Sequence, residues 1–101
     1  FEIEKMPAPK RGFENFYKYI WSHFKYSKAS LDTNIKGKII VKFVVDENGE
    51  ILEPKIIKGL GYGLDEEAIR VIGNYGKWIP GEKRGIKTRC YFSIPISLVV
   101  N

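Results

Sequence analysis

The chain has little from which to build a reactive centre. Among its 101 residues there are one cysteine, one histidine and one methionine. A lone cysteine excludes an internal disulfide and leaves the redox compartment undecided. His23 stands without a second histidine or a neighbouring cysteine, so the ligand sets that hold zinc are missing. No stretch approaches the ~18 consecutive apolar residues of a membrane helix. No signal peptide is visible at Phe1, and the chain opens without a starting methionine. It reads as a piece cut from a longer protein whose anchor or targeting segments lie elsewhere. Internal repeats and low-complexity tracts are absent.

The remaining candidates for chemistry are weak. Cys90 falls in the inward set of an alternating strand and has no histidine beside it, so a small buried hydrophobe is expected. Ser27 and Ser30 have no recognisable base. Gly59-Leu60-Gly61-Tyr62-Gly63 precedes a helix, as a phosphate loop would. That helix, however, opens with Asp65, Glu66 and Glu67, which repel a phosphate, and no Gly-Lys-Ser/Thr ending follows. Asp46, Glu47 and Glu50 surround a hairpin tip without the regular oxygen spacing of a calcium loop. These residues point to a chain that is not an enzyme and takes no metal and no cofactor.

What is present is a pattern of elements. Residues 1–11 carry charges and two prolines without periodicity and read as the end of a linker; residues 12–101 read as one domain. Phe13, Phe16, Tyr17, Ile20, Trp21 and Phe24 form an aromatic stripe on a helix of roughly residues 12–25, which reads as the cover of a sheet. Residues 26–36 form a polar connector. Lys38 to Asp46 reads as a first strand with Ile39, Val41, Phe43 and Val45 on one face. Asn48-Gly49 signals a tight primed turn, which needs positive φ. A second strand runs from Glu50 to Lys58, with Leu52 and Ile56 on one side and Ile51 and Ile57 on the other.

A second helix starts after Gly63, buries Leu64, Ala68, Val71, Ile72 and Tyr75, and is stopped by Gly73 and Gly76. Pro80-Gly81 fits a type II turn. The last strand alternates, with Cys90, Phe92, Ile94, Ile96 and Leu98 toward the helices and Arg89, Tyr91, Ser93, Pro95 and Ser97 away from them.

Proline cannot donate a ladder hydrogen bond, so Pro54 and Pro95 mark two edge strands with the proline-free strand between them. The expected fold is α+β: a small three-stranded antiparallel sheet of order 2-1-3 with two helices packed on one face. Its open sides are places for another chain to bind, copies of itself included. The net charge of +5 permits an acidic partner, but the basic residues are scattered singly along the chain and read as a solvated surface. The aromatics are needed for the core, so a nucleic-acid module is not expected.

Four segments in fixed order, GKIIVKFVVDENGEI, KGLGYGLDEEAIRVI, KWIPG and the closing IPI strand, resemble the C-terminal domain of TonB, in the version of Bacteroidetes-type bacteria. The likeness covers residues 12–100. It implies a periplasmic module of a protein anchored in the inner membrane by a segment outside this chain. Such proteins work with ExbB and ExbD, use the proton gradient to drive outer-membrane transporters, and bind a short transporter segment, the TonB box, alongside the last strand. For this chain the resemblance and the open edge together nominate Arg89, Cys90, Tyr91, Phe92, Ser93 and Ile94, with Arg89 and Tyr91 facing outward. The family's Tyr-Pro pair between first helix and first strand, which lies near the bound peptide, is Tyr26-Ser27 here, so both are included at a point where the sequence departs from the family's pattern. Met6-Pro7-Ala8-Pro9 suits the tail of a proline-rich spacer. A similar domain is fused to membrane-embedded sensor metallopeptidases, where it would serve regulation; the segment upstream of Phe1 distinguishes the two.

Overall fold

The computed structural model describes residues 3–99. Ten elements follow in order: β1 (Ala8–Pro9), α1 (Gly12–His23), α2 (Lys28–Asp32), β2 (Lys36–Val45), β3 (Ile51–Lys58), α3 (Leu64–Tyr75), β4 (Trp78–Ile79), β5 (Gly81–Lys83), β6 (Ile86–Thr88) and β7 (Cys90–Val99). The main sheet is antiparallel with order β3-β2-β7, so the proline-bearing strands flank the proline-free one as expected. The helices and Trp78 build the core on one face of the sheet. There Ile39, Val41, Phe43 and Val45 of β2 meet Ile94, Ile96 and Leu98 of β7, Phe16, Ile20 and Phe24 from the first helical segment, and Leu64, Ala68, Val71 and Ile72 of α3. Trp78 is 1% exposed and lies edge-on to Phe16 and Phe43 at 5.3 and 5.2 Å.

Several local expectations are corrected. The two faces of β3 do not follow strict alternation. Its register with β2 shifts between Lys42 and Val44 and again between Ile40 and Val41. Each shift inserts one extra β3 residue, so Ile51 and Ile56 both pack on the core, opposite Val45 and Val41. Glu53, beside Pro54, takes φ 50° at the first shift. The β2–β3 turn is not primed. The Gly49 N–H donates to the Asp46 carbonyl at 3.0 Å, and only Gly49 of the loop has positive φ, 81°. That is a type I turn closed by a left-handed glycine. The Asp46 carboxylate organises it by accepting the Asn48 and Glu50 N–H groups at 2.9 and 2.8 Å.

Pro80-Gly81 is not a type II turn, since Gly81 is extended in β5 and lacks the positive φ required. The turn comes later, at Arg84-Gly85, where φ values of 53° and 74° join β5 to β6 as a two-residue primed hairpin. Helix α3 passes through Gly73 and stops at Gly76, φ 105°. The polar connector contains α2, a third helix. Residues without periodicity before α1 are docked: Lys5 bridges Glu82, Ala8 and Pro9 pair with Ile79 and Trp78, and Pro7 and Pro9 are buried.

Candidate functional site

The two edges of the sheet differ in what they offer another backbone. Strand β3 carries both register shifts, Pro54, and exposed Lys55 and Lys58, the devices by which natural edges resist pairing. Strand β7 pairs with β2 over ten residues without a shift, from Val99 opposite Lys36 to Cys90 opposite Val45. Among the described residues, no strand lies on its other side.

Two observations fix which β7 groups face outward. The Asp46 N–H donates to Glu50 across the hairpin, so even-numbered β2 positions turn toward β3 and odd ones toward β7. By the register, the β7 residues that bond β2 are then Cys90, Phe92, Ile94, Ile96 and Leu98. Tyr91, Ser93, Pro95, Ser97 and Val99 direct their main-chain groups away from the sheet. Pro95 agrees independently: it has no N–H to lose there, and its carbonyl accepts the Tyr17 hydroxyl at 3.0 Å. The free run before that clamp is Tyr91 and Ser93.

Helix α1 supplies a wall below this edge. Its aromatic stripe divides into two ladders of spacing four. Phe16, Ile20 and Phe24 are buried, whereas Phe13 and Trp21 are 38% and 44% exposed with Tyr17 half-buried between them. Phe13 stacks with Tyr17 and Tyr17 with Trp21, each at 6.5 Å, and Phe13 also stacks on Phe92 at 6.0 Å. An aromatic shelf thus runs beside the β7 edge. Burial pushes the Tyr17 hydroxyl above its ordinary pKa, which keeps it a donor to Pro95. Above the edge, Tyr91 is 68% exposed, with the Lys42 ammonium 4.7 Å from its ring centroid.

The residues nominated from sequence take different positions. Tyr91 and Ser93 present both backbone and side chain to solvent. Arg89 is exposed just before the strand. Phe92 contributes a ring to the shelf, while Ile94 is a core residue. Cys90 is half-buried, faces Gly81, and its thiol is pushed up in pKa by burial against an opposing backbone N–H from Gly81. It is not a poised thiolate. Tyr26 and Ser27 lie elsewhere. Ser27 caps α2 by accepting the Ser30 N–H at 3.1 Å and donates to the Tyr62 carbonyl at 2.6 Å, a double role no proline could fill. Tyr62 follows β3, whose last residue pairs with Ile40, whereas Cys90 pairs with Val45. The pair therefore sits toward the far end of the sheet from Arg89. The Tyr17 clamp and the exposed shelf were not read from sequence; the division of the stripe into 13-17-21 and 16-20-24 is the signal that carried them. No group of three His, Cys, Asp or Glu residues among those described gathers into a metal site.

The sequence profile of the family described as Gram-negative bacterial TonB protein C-terminal matches residues 22–98. Two solution NMR structures of the Helicobacter pylori TonB C-terminal domain share the fold at 20% identity. One has a TM-score of 0.66 and covers 87% of this chain and 79% of its own. The other has a TM-score of 0.63 and covers 84% and 89%. No functionally curated protein matches the chain significantly.

Proposed function

The chain belongs to the family of Gram-negative TonB C-terminal domains, and from that premise we propose that it is the periplasmic end of an energy transducer that grips outer-membrane transporters by strand addition. The docked segment is the transporter's TonB box, laid along β7. The free N–H and C=O groups of Tyr91 and Ser93 bond it, Phe92 and the α1 shelf support its inward side chains, and Arg89 borders its entry. The protein acts by binding and pulling and carries no catalytic step. Its membrane anchor and its contacts with ExbB and ExbD belong to parts outside this chain, and the proton gradient supplies the work for nutrient uptake.

The observation that carries this reading is the long, unshifted β7 edge whose outward groups have no strand partner among the described residues. Backbone pairing tolerates varied side chains, which suits a module serving several transporters. A peptide lying along β7 loads its hydrogen bonds together when drawn along the strand, which suits force transmission. The same edge is also the place where a second copy would pair.

Titrating labelled domain with periplasmic N-terminal peptides of candidate transporters tests the proposal. Amide shifts concentrated on Tyr91, Ser93 and their neighbours are expected. Shifts confined to α3 or to Tyr26 and Ser27 would refute the placement.

A further inference from the structure

The lysines that are scattered along the chain come together in the fold. Lys36, Lys38 and Lys42 share the β2 face opposite the core, with Ile40 between Lys38 and Lys42 and Val44 beyond Lys42. Across β3, Lys55 stands directly opposite Lys42, and Lys58 opposite Ile40, so they join the same face. All five are exposed. The ion pairs among the described residues are Lys5–Glu82, Lys18–Glu14, Lys28–Asp32 and Arg70–Glu67, and none involves this face. Two lysines directly opposite one another in a sheet repel. Glu53, at the β3 bulge, lines the same depression as Lys42, Lys55 and Tyr91 without an ion pair to either lysine, so the five lysines leave this face a positive excess that is complementary to an acidic partner.

The register shows where that partner would lie. Lys42 pairs with Ser93 and Lys38 with Ser97, both on β7 and both small. A serine leaves room for a long lysine stem to cross one strand spacing, ~4.8 Å. Lys42 already leans this way, its ammonium resting over Tyr91 on β7. On the opposite face of the same edge lies the aromatic shelf of Phe13, Tyr17 and Trp21. Any strand added beside β7 alternates its side chains between these two faces.

Resting on the strand-addition reading above, we infer that Lys42 and Lys38 select the docked segment by charge: it carries carboxylates four residues apart, opposite Ser93 and Ser97, and apolar side chains at the positions facing the shelf. Arg89 extends the same basic border at the start of the strand. Main-chain pairing then supplies grip common to all partners, and the lysine pair ranks them.

Three peptides of equal length and alternating pattern test this: one neutral, one with two glutamates four apart on the outward positions, and one with the same glutamates two apart on the outward positions. The four-spaced peptide is expected to bind roughly fivefold tighter than the neutral one at low salt, with the advantage shrinking toward unity at about 0.5 M salt. In the double variant K38Q/K42Q that advantage is lost, while the neutral peptide binds as before and shifts the Tyr91 and Ser93 amides as before. Equal binding of all three, or a preference unchanged in K38Q/K42Q, overturns the charge selection and leaves strand addition standing. Binding of phosphatidylglycerol vesicles through these lysines without any peptide preference also overturns it, assigning the face to a lipid surface. If no peptide moves the Tyr91 and Ser93 amides, strand addition falls and the selection falls with it.

Discussion

Replacing Ser93 by proline separates the two hydrogen-bonding sides of β7. Its N–H faces away from β2, as does the position of Pro95 two residues on, which the strand already accommodates. Proline's restriction on the preceding residue is satisfied by the extended backbone of Phe92. The substitution therefore removes no ladder bond and deletes only an exposed hydroxyl. Unfolding free energy should drop by no more than ~1 kcal/mol out of a typical 5–15, or roughly 4–8 °C in melting temperature. Were that N–H bonded to β2, a buried carbonyl would be orphaned, adding about 1–3 kcal/mol to the strain of placing proline inside a sheet. A docked peptide, in contrast, loses the donor to one of its own carbonyls, weakening binding by about tenfold or more. Urea unfolding and peptide titration on the same sample decide the matter. A loss of ~3 kcal/mol in stability, or an unchanged peptide affinity, refutes the orientation assigned to the edge.

Other perturbations test the supporting structure. Gly49→Ala places a methyl carbon 2.0 Å from the Trp78 carbonyl oxygen at a backbone φ of 81°, and breaks the Trp78 N–H to Gly49 carbonyl bond of 2.7 Å. It should lower unfolding free energy by ~3 kcal/mol in denaturant titration, and a change below ~1 kcal/mol would contradict the docking of the hairpin tip on Trp78. Tyr17 has its pKa raised from 10.0 by burial, so its stabilising contribution is complete below pH 10 and is lost as pH rises through the folded value. Alkaline melting curves should fall more gently in Tyr17→Phe, which itself costs about 0.5–1.5 kcal/mol at neutral pH. Glu67 is held below its ordinary 4.5 chiefly by the hydrogen bonds from Arg70, against some desolvation and with help from the Lys25 N–H. Its stabilisation is present above pH 4.5 and is lost as pH falls through the depressed folded value. Glu67→Gln should cost about 1–2 kcal/mol at pH 7 and flatten the acid limb of stability; parallel acid limbs in the two proteins would show that the carboxylate is not a clasp between α1 and α3.

Strand order was legible because two prolines are incompatible with a central strand, and the core because its strand and helix periodicities are nearly unbroken. The faces of β3 were not legible, since the register shifts beside Glu53 and at Ile57 arise from pairing with β2 and have no signature of their own. The hairpin at Arg84-Gly85 was not legible because Pro80-Gly81 is the more familiar turn signal, yet Gly81 lies in an extended strand where Cys90 Sγ and the Lys5 carbonyl leave no room for a side chain. Residues 4–10 have no periodic pattern, because they are held by backbone bonds to Glu82 and by the Tyr75 hydroxyl on the Lys10 carbonyl. Within the candidate site, Tyr91 and Ser93 could be named from alternation alone. The aromatic wall and the gathered lysines required the fold, because both depend on which neighbours the sheet register supplies.

Hydrogen exchange of the individual β7 amides reports which of them the free domain leaves open to a partner strand. In the free monomer Phe92, Ile94 and Ile96 should exchange slowly and Tyr91, Ser93 and Ser97 fast, and a bound peptide should slow Tyr91 and Ser93 while leaving the already slow amides unchanged. Protection of Tyr91 and Ser93 in the free monomer, or no change on saturation with peptide, would contradict the account.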